Sequence, residues 1–396
     1  MSDRPRLRAG IVGSGFAAAF HCEALQRVHR VDVDIVGVYS PNAGKRSAFA
    51  SERDTAAFDS LEKLIDASDV LHVCTPPSTH EEIAVQVLAA DRSCIVEKPF
   101  TGFFGDGSKD FNGRTFDREV GLREAMASVQ RMLEAERTSA GSILYAENWV
   151  YAPAIQKERE IIEKTGAQIV WMHGEESHSG SHSPYYGIWA HSGGGSIMGK
   201  AVHPLTAALY LKKVEGRARS GHPIRPVTVS ARTHTVTTSD WFRDEGHLRT
   251  SYTDIEDYGS VHVVFEDGSF ADIFASELVL GGVHNWIEVC ANNHRTVCNI
   301  NPNTAMQTYN PREENFRDIY VVEKTGTKQG WAFTSPDEEW FTGYQHEMNA
   351  FYSSVADGKE PESDGRLAAD TIAVVYAAYL SAAQSGREVA VPRVGE

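Results

Sequence analysis

The sequence predicts two domains: an α/β domain with a doubly wound parallel sheet, then an α+β domain on a mostly antiparallel sheet. Three observations predict this. A chain of 396 residues is too long for one ordinary core. Its first hundred residues alternate short apolar runs with helix-length amphipathic runs, the rhythm of parallel strands joined by helical crossovers. Beyond about residue 165 strand-like runs follow one another directly, with turn signals between them.

The elements follow in order. "LRAGIVG" is an apolar strand, "FAAAFHCEALQRV" a helix and "VDIVGVYS" a second strand. "GKRSAFASE" and "LEKLIDA" are helices, "VLHVCTPP" a strand, "HEEIAVQVLAAD" a helix and "SCIVEKP" a strand. The later strands are "AQIVWMHGEES", "PVTVSARTHTV", "YGSVHVVFEDG", "SFADIFASEL" and "NWIEVCANNHRTVCNI". "FEDGSF" places Asp-Gly between two alternating runs, a hairpin signal. The domains are read as 1–140 and 141–396, with terminal helices over 337–385 packing back on the first domain.

Net charge is −16, which excludes a nucleic-acid partner and an anionic membrane surface. No apolar run approaches the roughly 18 residues of a membrane span, and the first residues lack the apolar core of a signal peptide. The five cysteines form no CxxC pair and no metal spacing, so reduced thiols and a cytoplasmic location are expected.

The first strand runs into Gly13-Ser14-Gly15-Phe16-Ala17-Ala18, the GxGxxG pattern with alanine last. Gly13 permits a tight turn, Gly15 lets backbone approach a pyrophosphate, and the helix N-terminus adds N–H groups and partial positive charge. This turn assigns NAD or NADP as the cofactor. The second strand ends without the usual acid. Ser40, Lys45 and Arg46 suit a 2′-phosphate and Asn42 a ribose, so the choice stays open. Two further strands end at Thr75-Pro76 and Glu97-Lys98, at the carboxyl edge where such sheets bind ligands. Thr75, Pro76, His80, Glu97 and Lys98 therefore join the cofactor set. A lysine beside a nicotinamide can hold a substrate hydroxyl and stabilise the alkoxide.

"GIVGSGFAAAFH", "VLHVCTPPSTHEEIAVQVLAA", "VEKP" and "GGGSIMGKAVHPL" together resemble the glucose–fructose oxidoreductase / inositol dehydrogenase / MocA (Gfo/Idh/MocA) family of NAD(P)-dependent oxidoreductases. The resemblance is dense in the first domain and extends in outline to "GYQHEMNAFYSSVADG". It implies a Rossmann domain followed by a large open sheet, and sugar, polyol or sugar-acid substrates. It also implies a homodimer or homotetramer, here assigned to the C-terminal sheet, and a reaction site lined by Lys98 and His203.

The chain departs from that pattern at Gly199, where the family often carries aspartate before the histidine. Glu175, Glu176 and Lys200 are candidates to replace it. Lys200 and His203 lie three apart and share a helix face. His203 is expected to act as general base at its ordinary pKa, with Lys98 and Lys200 completing the catalytic set. "GGGS" is expected to carry backbone close to nicotinamide and substrate.

The Gly-rich segment 101–116, with Phe103, Phe104 and Phe111, reads as a lid or a passive insertion. Five of the sixteen histidines lie between 173 and 203. Glu176, His178 and His182 are weak metal candidates, and no metal is assigned; the same side chains can bind sugar hydroxyls. Asn148, Tyr151 and Trp189 complete the expected substrate pocket. The leading function is hydride transfer between a secondary hydroxyl and nicotinamide. Alternatives are a redox-neutral glycosidase or eliminase, a sugar-acid oxidoisomerase, and a nucleotide-sensing regulator without activity.

Overall fold

The structure is a computed structural model that describes residues 4–181, 183, 185–301 and 305–394. Its first unit alternates strand and helix: β1 (Arg6–Val12), α1 (Phe16–Leu25), β2 (Asp32–Tyr39), α2 (Ala43–Glu52), β3 (Ala56–Ala57), α3 (Leu61–Ala67) and β4 (Val70–Val73). It continues with α4 (His80–Ala89), β5 (Ser93–Glu97), α5 (Arg118–Arg137) and β6 (Ile143–Ala146). The six strands lie in the order β3-β2-β1-β4-β5-β6, all parallel. The order reverses at β1, so the carboxyl ends of β1 and β4 flank the crevice where such sheets bind ligands. Because β6 belongs to this sheet, the first domain runs past residue 140, the expected boundary.

The second unit opens with α6 (Asn148–Tyr151), α7 (Pro153–Thr165), β7 (Ile169–Ser177), α8 (Trp189–Ser192) and α9 (Val202–Ser220). Strands β8 (Pro226–His234), β9 (Tyr258–Phe265), β10 (Phe270–Ser276), β11 (His284–Ala291) and β12 (Arg295–Asn299) follow. A small hairpin pairs β13 (Gln307–Asn310) with β14 (Gly330–Phe333). The chain closes with α10 (Glu338–Thr342), α11 (Tyr344–Asp357), α12 (Gly365–Ala383) and β15 (Val389–Ala390). The large sheet has the order β12-β11-β7-β10-β9-β8-β15 and is antiparallel except where β7 meets β10.

Burial explains how the two units meet. Helix α12 buries Leu367, Ile372, Val375, Tyr376 and Tyr379 and packs against α5 and β6 of the first unit and β8 and α9 of the second. Helix α11 packs on α1, where Phe20 and Tyr344 rings lie 5.4 Å apart and Asn349 accepts from the His29 backbone. One apolar core thus runs through both units. The five cysteines are free thiols. Among the described residues no helix is long and apolar enough to cross a membrane.

Candidate active site

The nucleotide turn joins β1 to α1. Gly13 sits at φ 118°, and a Cβ there would meet the Cys74 carbonyl at 2.2 Å. Gly15 caps α1 without a side-chain partner, and a Cβ added there would meet nothing within 4 Å. The first N–H groups of α1 therefore face open space at a glycine, the cradle a pyrophosphate needs. Phe16 is exposed beside it, and Ala17 is half-buried. The Ser14 and Ser40 hydroxyls meet at 3.0 Å, and Arg46 donates to the Ser40 carbonyl at 2.6 Å. Asn42 is occupied as the cap of α2, accepting from the Lys45 backbone at 3.0 Å. It is a cap rather than a ribose ligand; the Lys45 side chain is exposed.

On the same edge, the Thr75 hydroxyl accepts from Thr79, and Pro76 is exposed at the mouth. The fully buried His80 ring sits between the carbonyls of Thr75 and Pro99, at 2.9 and 3.0 Å. Both ring nitrogens thus meet backbone, and the ring ties two strand ends together. Glu97 faces inward to His21 at 2.9 Å and accepts from the Lys98 N–H.

Lys98 projects from the tip of β5 and donates to the Gly199 carbonyl at 3.1 Å. That carbonyl lies in a π-helical turn, Ile197–Ala201, just before α9. Pro204 stands where the π-type donor to Gly199 would be, and proline has no N–H. The turn thus presents an acceptor to the lysine. The aspartate that the family often places here is absent, and a main-chain oxygen meets Lys98 instead.

His203 lies on the first turn of α9, buried and stacked on Trp149 with ring centroids 5.9 Å apart. Its Nδ1 is 2.5 Å from Glu147 Oε1, and its Nε2 is 3.7 Å from Glu176 Oε2. Glu147 follows β6 at the carboxyl edge and is fully buried. Burial pushes its carboxyl well above the usual range, against the opposing charge of Lys98. Burial also raises Glu176, and lowers His203 to about 4, with Glu176 pulling it up and Lys98 down. The imidazole is therefore neutral around pH 7, well below the ordinary value expected from the sequence.

Other expected residues lie elsewhere. Lys200 is buried against the Glu277 carboxylate and over the Tyr186 ring. Glu277 also accepts from Tyr252 and from the Ser181 backbone. Asn148 donates to the Thr342 carbonyl, and the buried Tyr151 hydroxyl accepts from the Ser363 backbone. Trp189 is core, donating through Nε1 to the Phe103 carbonyl. These three hold the fold where sugar contacts were expected. His178 Nδ1 accepts from the Gly180 backbone. His182 lies outside the described residues, and the described ones form no metal-binding group.

The triple glycine packs against protein. Cβ atoms at Gly193, Gly194 and Gly195 would meet Phe104, the Tyr379 hydroxyl and the Glu256 carbonyl, at 3.0, 2.1 and 2.0 Å. The close approach is to these groups, not to the cofactor crevice. Segment 101–116 is likewise a strap. Phe103 packs edge-on against Phe111 and tilted against Phe116, and Phe116 packs edge-on against Trp189. The Phe103 N–H donates to Tyr376 and the Gly113 N–H to Asp254, at 2.6 and 2.7 Å.

Sequence reasoning missed Glu147, Glu277 and His21. Glu147 and Glu277 follow apolar strand runs, the one signal available; the resemblance had directed the search for a carboxylate to 175 and 176.

Residues 7–109 match the GFO_IDH_MocA family model, described as an oxidoreductase family with an NAD-binding Rossmann fold. Over these residues the chain is similar to the Gfo/Idh/MocA oxidoreductases. The chain is 32% identical over 95 residues to a UDP-N-acetylglucosamine 3-dehydrogenase of Acidithiobacillus ferrooxidans. It is 35% identical over 105 residues to an inositol 2-dehydrogenase of Leifsonia xyli. These matches cover 24% and 26% of this chain, and only 29% and 30% of those relatives. In fold the likeness runs end to end. GenD2 from gentamicin A biosynthesis, solved with NAD, superposes with TM-score 0.75 at 22% identity, over 99% of this chain and 98% of that one. A scyllo-inositol dehydrogenase from Lactobacillus casei gives 0.71 at 12% identity, over 99% of each chain.

Proposed function

We propose that this chain is an NAD(P)-dependent dehydrogenase of the Gfo/Idh/MocA kind that transfers hydride between a secondary hydroxyl of a sugar, polyol or sugar acid and nicotinamide. The observation that carries the reading is the buried Glu147–His203 pair at 2.5 Å beside Lys98, at the edge that holds the Gly13–Gly15 turn. The sugar and inositol dehydrogenases matched in the first domain support the same substrate class.

Bound NAD or NADP, held by the α1 N-terminus and Ser14, supplies the hydride acceptor. The chain's own groups handle the proton. With Glu147 ionised, the imidazole Nδ1–H donates to it and Nε2 is left as a lone pair. Nε2 takes the hydroxyl proton, and the imidazolium that forms lies between the Glu147 and Glu176 carboxyl groups. Lys98 donates to the same substrate oxygen and stabilises its developing negative charge. Glu147 is thus the carboxylate orienting the base, and Lys200 is a structural cation.

The exposed Phe274 and Val297 of the large sheet support a homodimer or homotetramer through that sheet. The free thiols support a cytoplasmic location.

The test is a panel of polyols, aldoses and sugar acids with NAD and with NADP. Stoichiometric appearance of the reduced cofactor is expected with wild type, and none with Lys98→Met. Product without net cofactor reduction would favour the redox-neutral alternative.

A further inference from the structure

A second polar chain lies buried behind Lys98. The Lys98 N–H donates to Glu97 Oε2 at 2.9 Å, and Glu97 Oε1 is 2.9 Å from His21 Nε2. His21 Nδ1 is 2.8 Å from His72 Nδ1, and His72 Nε2 is 2.9 Å from the Tyr352 hydroxyl. His21, His72 and Tyr352 are each 0% exposed. They come from α1, β4 and α11, so the chain joins the nucleotide helix, the parallel sheet and a helix from the far end of the sequence.

The carboxylate end sets the proton order along this chain. Burial works against an ionised Glu97, but the His21 hydrogen bond and the Lys98 charge overcome it and hold the carboxyl below its usual range. Burial keeps His72 neutral. A carboxylate only accepts, so His21 carries its proton on Nε2. With His21 neutral, its Nδ1 lone pair accepts from His72 Nδ1–H, and the His72 Nε2 lone pair accepts from the Tyr352 hydroxyl. Every donor points toward Glu97. The reverse order would set a bare imidazole nitrogen against the carboxylate.

We infer that His21, His72 and Tyr352 are positioning residues: through this one-way hydrogen-bond chain, α11 fixes the Glu97 carboxylate and with it the backbone that carries Lys98. The inference rests on the catalytic assignment of Lys98 for its effect on rate, but not for the chain itself. Removing the Tyr352 hydroxyl leaves both tautomers set by Glu97 but takes from His72 Nε2 its partner on α11. The His72 and His21 rings lose that anchor, and with it the Glu97 carboxylate and the Lys98 strand tip lose restraint.

Two measurements test it. Long-range nitrogen–proton correlation spectra of the intact protein read both tautomers. His21 is expected as Nε2–H and His72 as Nδ1–H, and Tyr352→Phe should keep both tautomers but shift the ring nitrogens and the Lys98 amide. His72 protonated on Nε2, or a Lys98 amide unmoved in Tyr352→Phe, overturns the chain whatever the enzyme's activity. In steady-state kinetics Tyr352→Phe should lower kcat by about tenfold, the rate equivalent of one hydrogen bond, with both KM values unchanged. A shifted Lys98 amide with an unchanged kcat would overturn the positioning role. If Tyr352→Phe does not fold, the tautomers of the unaltered protein decide. Absence of any dehydrogenase activity in wild type would sink the catalytic reading and leave the tautomer result standing.

Discussion

His203 and Glu147 approach to 2.5 Å from opposite sides of the domain junction, one on the first turn of α9 and the other just past β6. Both are buried, and the pair replaces the aspartate–histidine spacing that the sequence around Gly199 lacks.

In Glu147→Gln the side-chain amide can donate to Nδ1, which moves the imidazole proton to Nε2 and blocks the base. Turnover should fall roughly 10²–10⁴-fold, as for loss of a general base, with dinucleotide affinity unchanged by titration calorimetry. His203→Ala should behave alike. A Glu147→Gln enzyme with wild-type turnover would show that the carboxylate only packs.

Burial lowers His203 to about 4, so its free base persists well below the ordinary value of about 6.5. Because the base also needs Glu147 ionised, and burial raises that carboxyl well above the usual range, the acid limb of kcat/KM should follow Glu147 rather than His203 and lie above pH 4. The His203 shift also acts on stability. Between pH 6.5 and 4 the unfolded chain binds a proton that the folded site refuses, so acid progressively destabilises the fold through this group. If His203→Gln does not flatten stability over that interval, His203 is charged in the native state.

Most elements were legible because each rests on local periodicity: the parallel crossovers, the Phe265–Phe270 hairpin and the tail helices depend on residues near in sequence. The site was half legible. Gly13, Gly15 and Lys98 sit in short motifs whose geometry is local. Glu147 and Glu277 meet His203 and Lys200 only after β6 and β10 have entered different sheets, and no spacing encodes that. Loop glycines misled twice. Around Phe103 and at Gly193–Gly195 they admit tyrosine, tryptophan and carboxylate neighbours rather than a ligand.

Lys200→Met leaves Glu277 buried without its cation. Breaking such a pair costs about 3–5 kcal/mol, so the variant should unfold at lower urea, and Lys200→Met/Glu277→Gln should recover much of the loss. Turnover per folded molecule should change little. A large fall in kcat with stability intact would return Lys200 to the catalytic set.

A Cβ at Gly113 would lie 2.4 Å from the Trp189 side chain and 2.6 Å from the Asp254 carbonyl. Gly113→Ala should therefore destabilise the strap by about 1–3 kcal/mol. Residues 106–110 form its exposed tip, and shortening them should leave KM unchanged. A higher KM from that shortening would make the segment a lid after all.

The two glycines of the nucleotide turn should separate stability from binding. Gly13 lies at φ 118° with the Cys74 carbonyl 2.2 Å from any Cβ, so Gly13→Ala is strained and obstructed in the protein itself. It should cost more than about 1 kcal/mol in denaturant unfolding. Gly15 has an ordinary φ of −102° and nothing within 4 Å of its Cβ position. Gly15→Val should fold like wild type. Its side chain would occupy the open space before the α1 N-terminus, where the pyrophosphate must come close to backbone N–H groups. Calorimetry should then show dinucleotide binding lost in a protein whose unfolding midpoint is unmoved. A folded Gly15→Val that binds NAD and NADP as wild type does would place the nucleotide somewhere other than this turn.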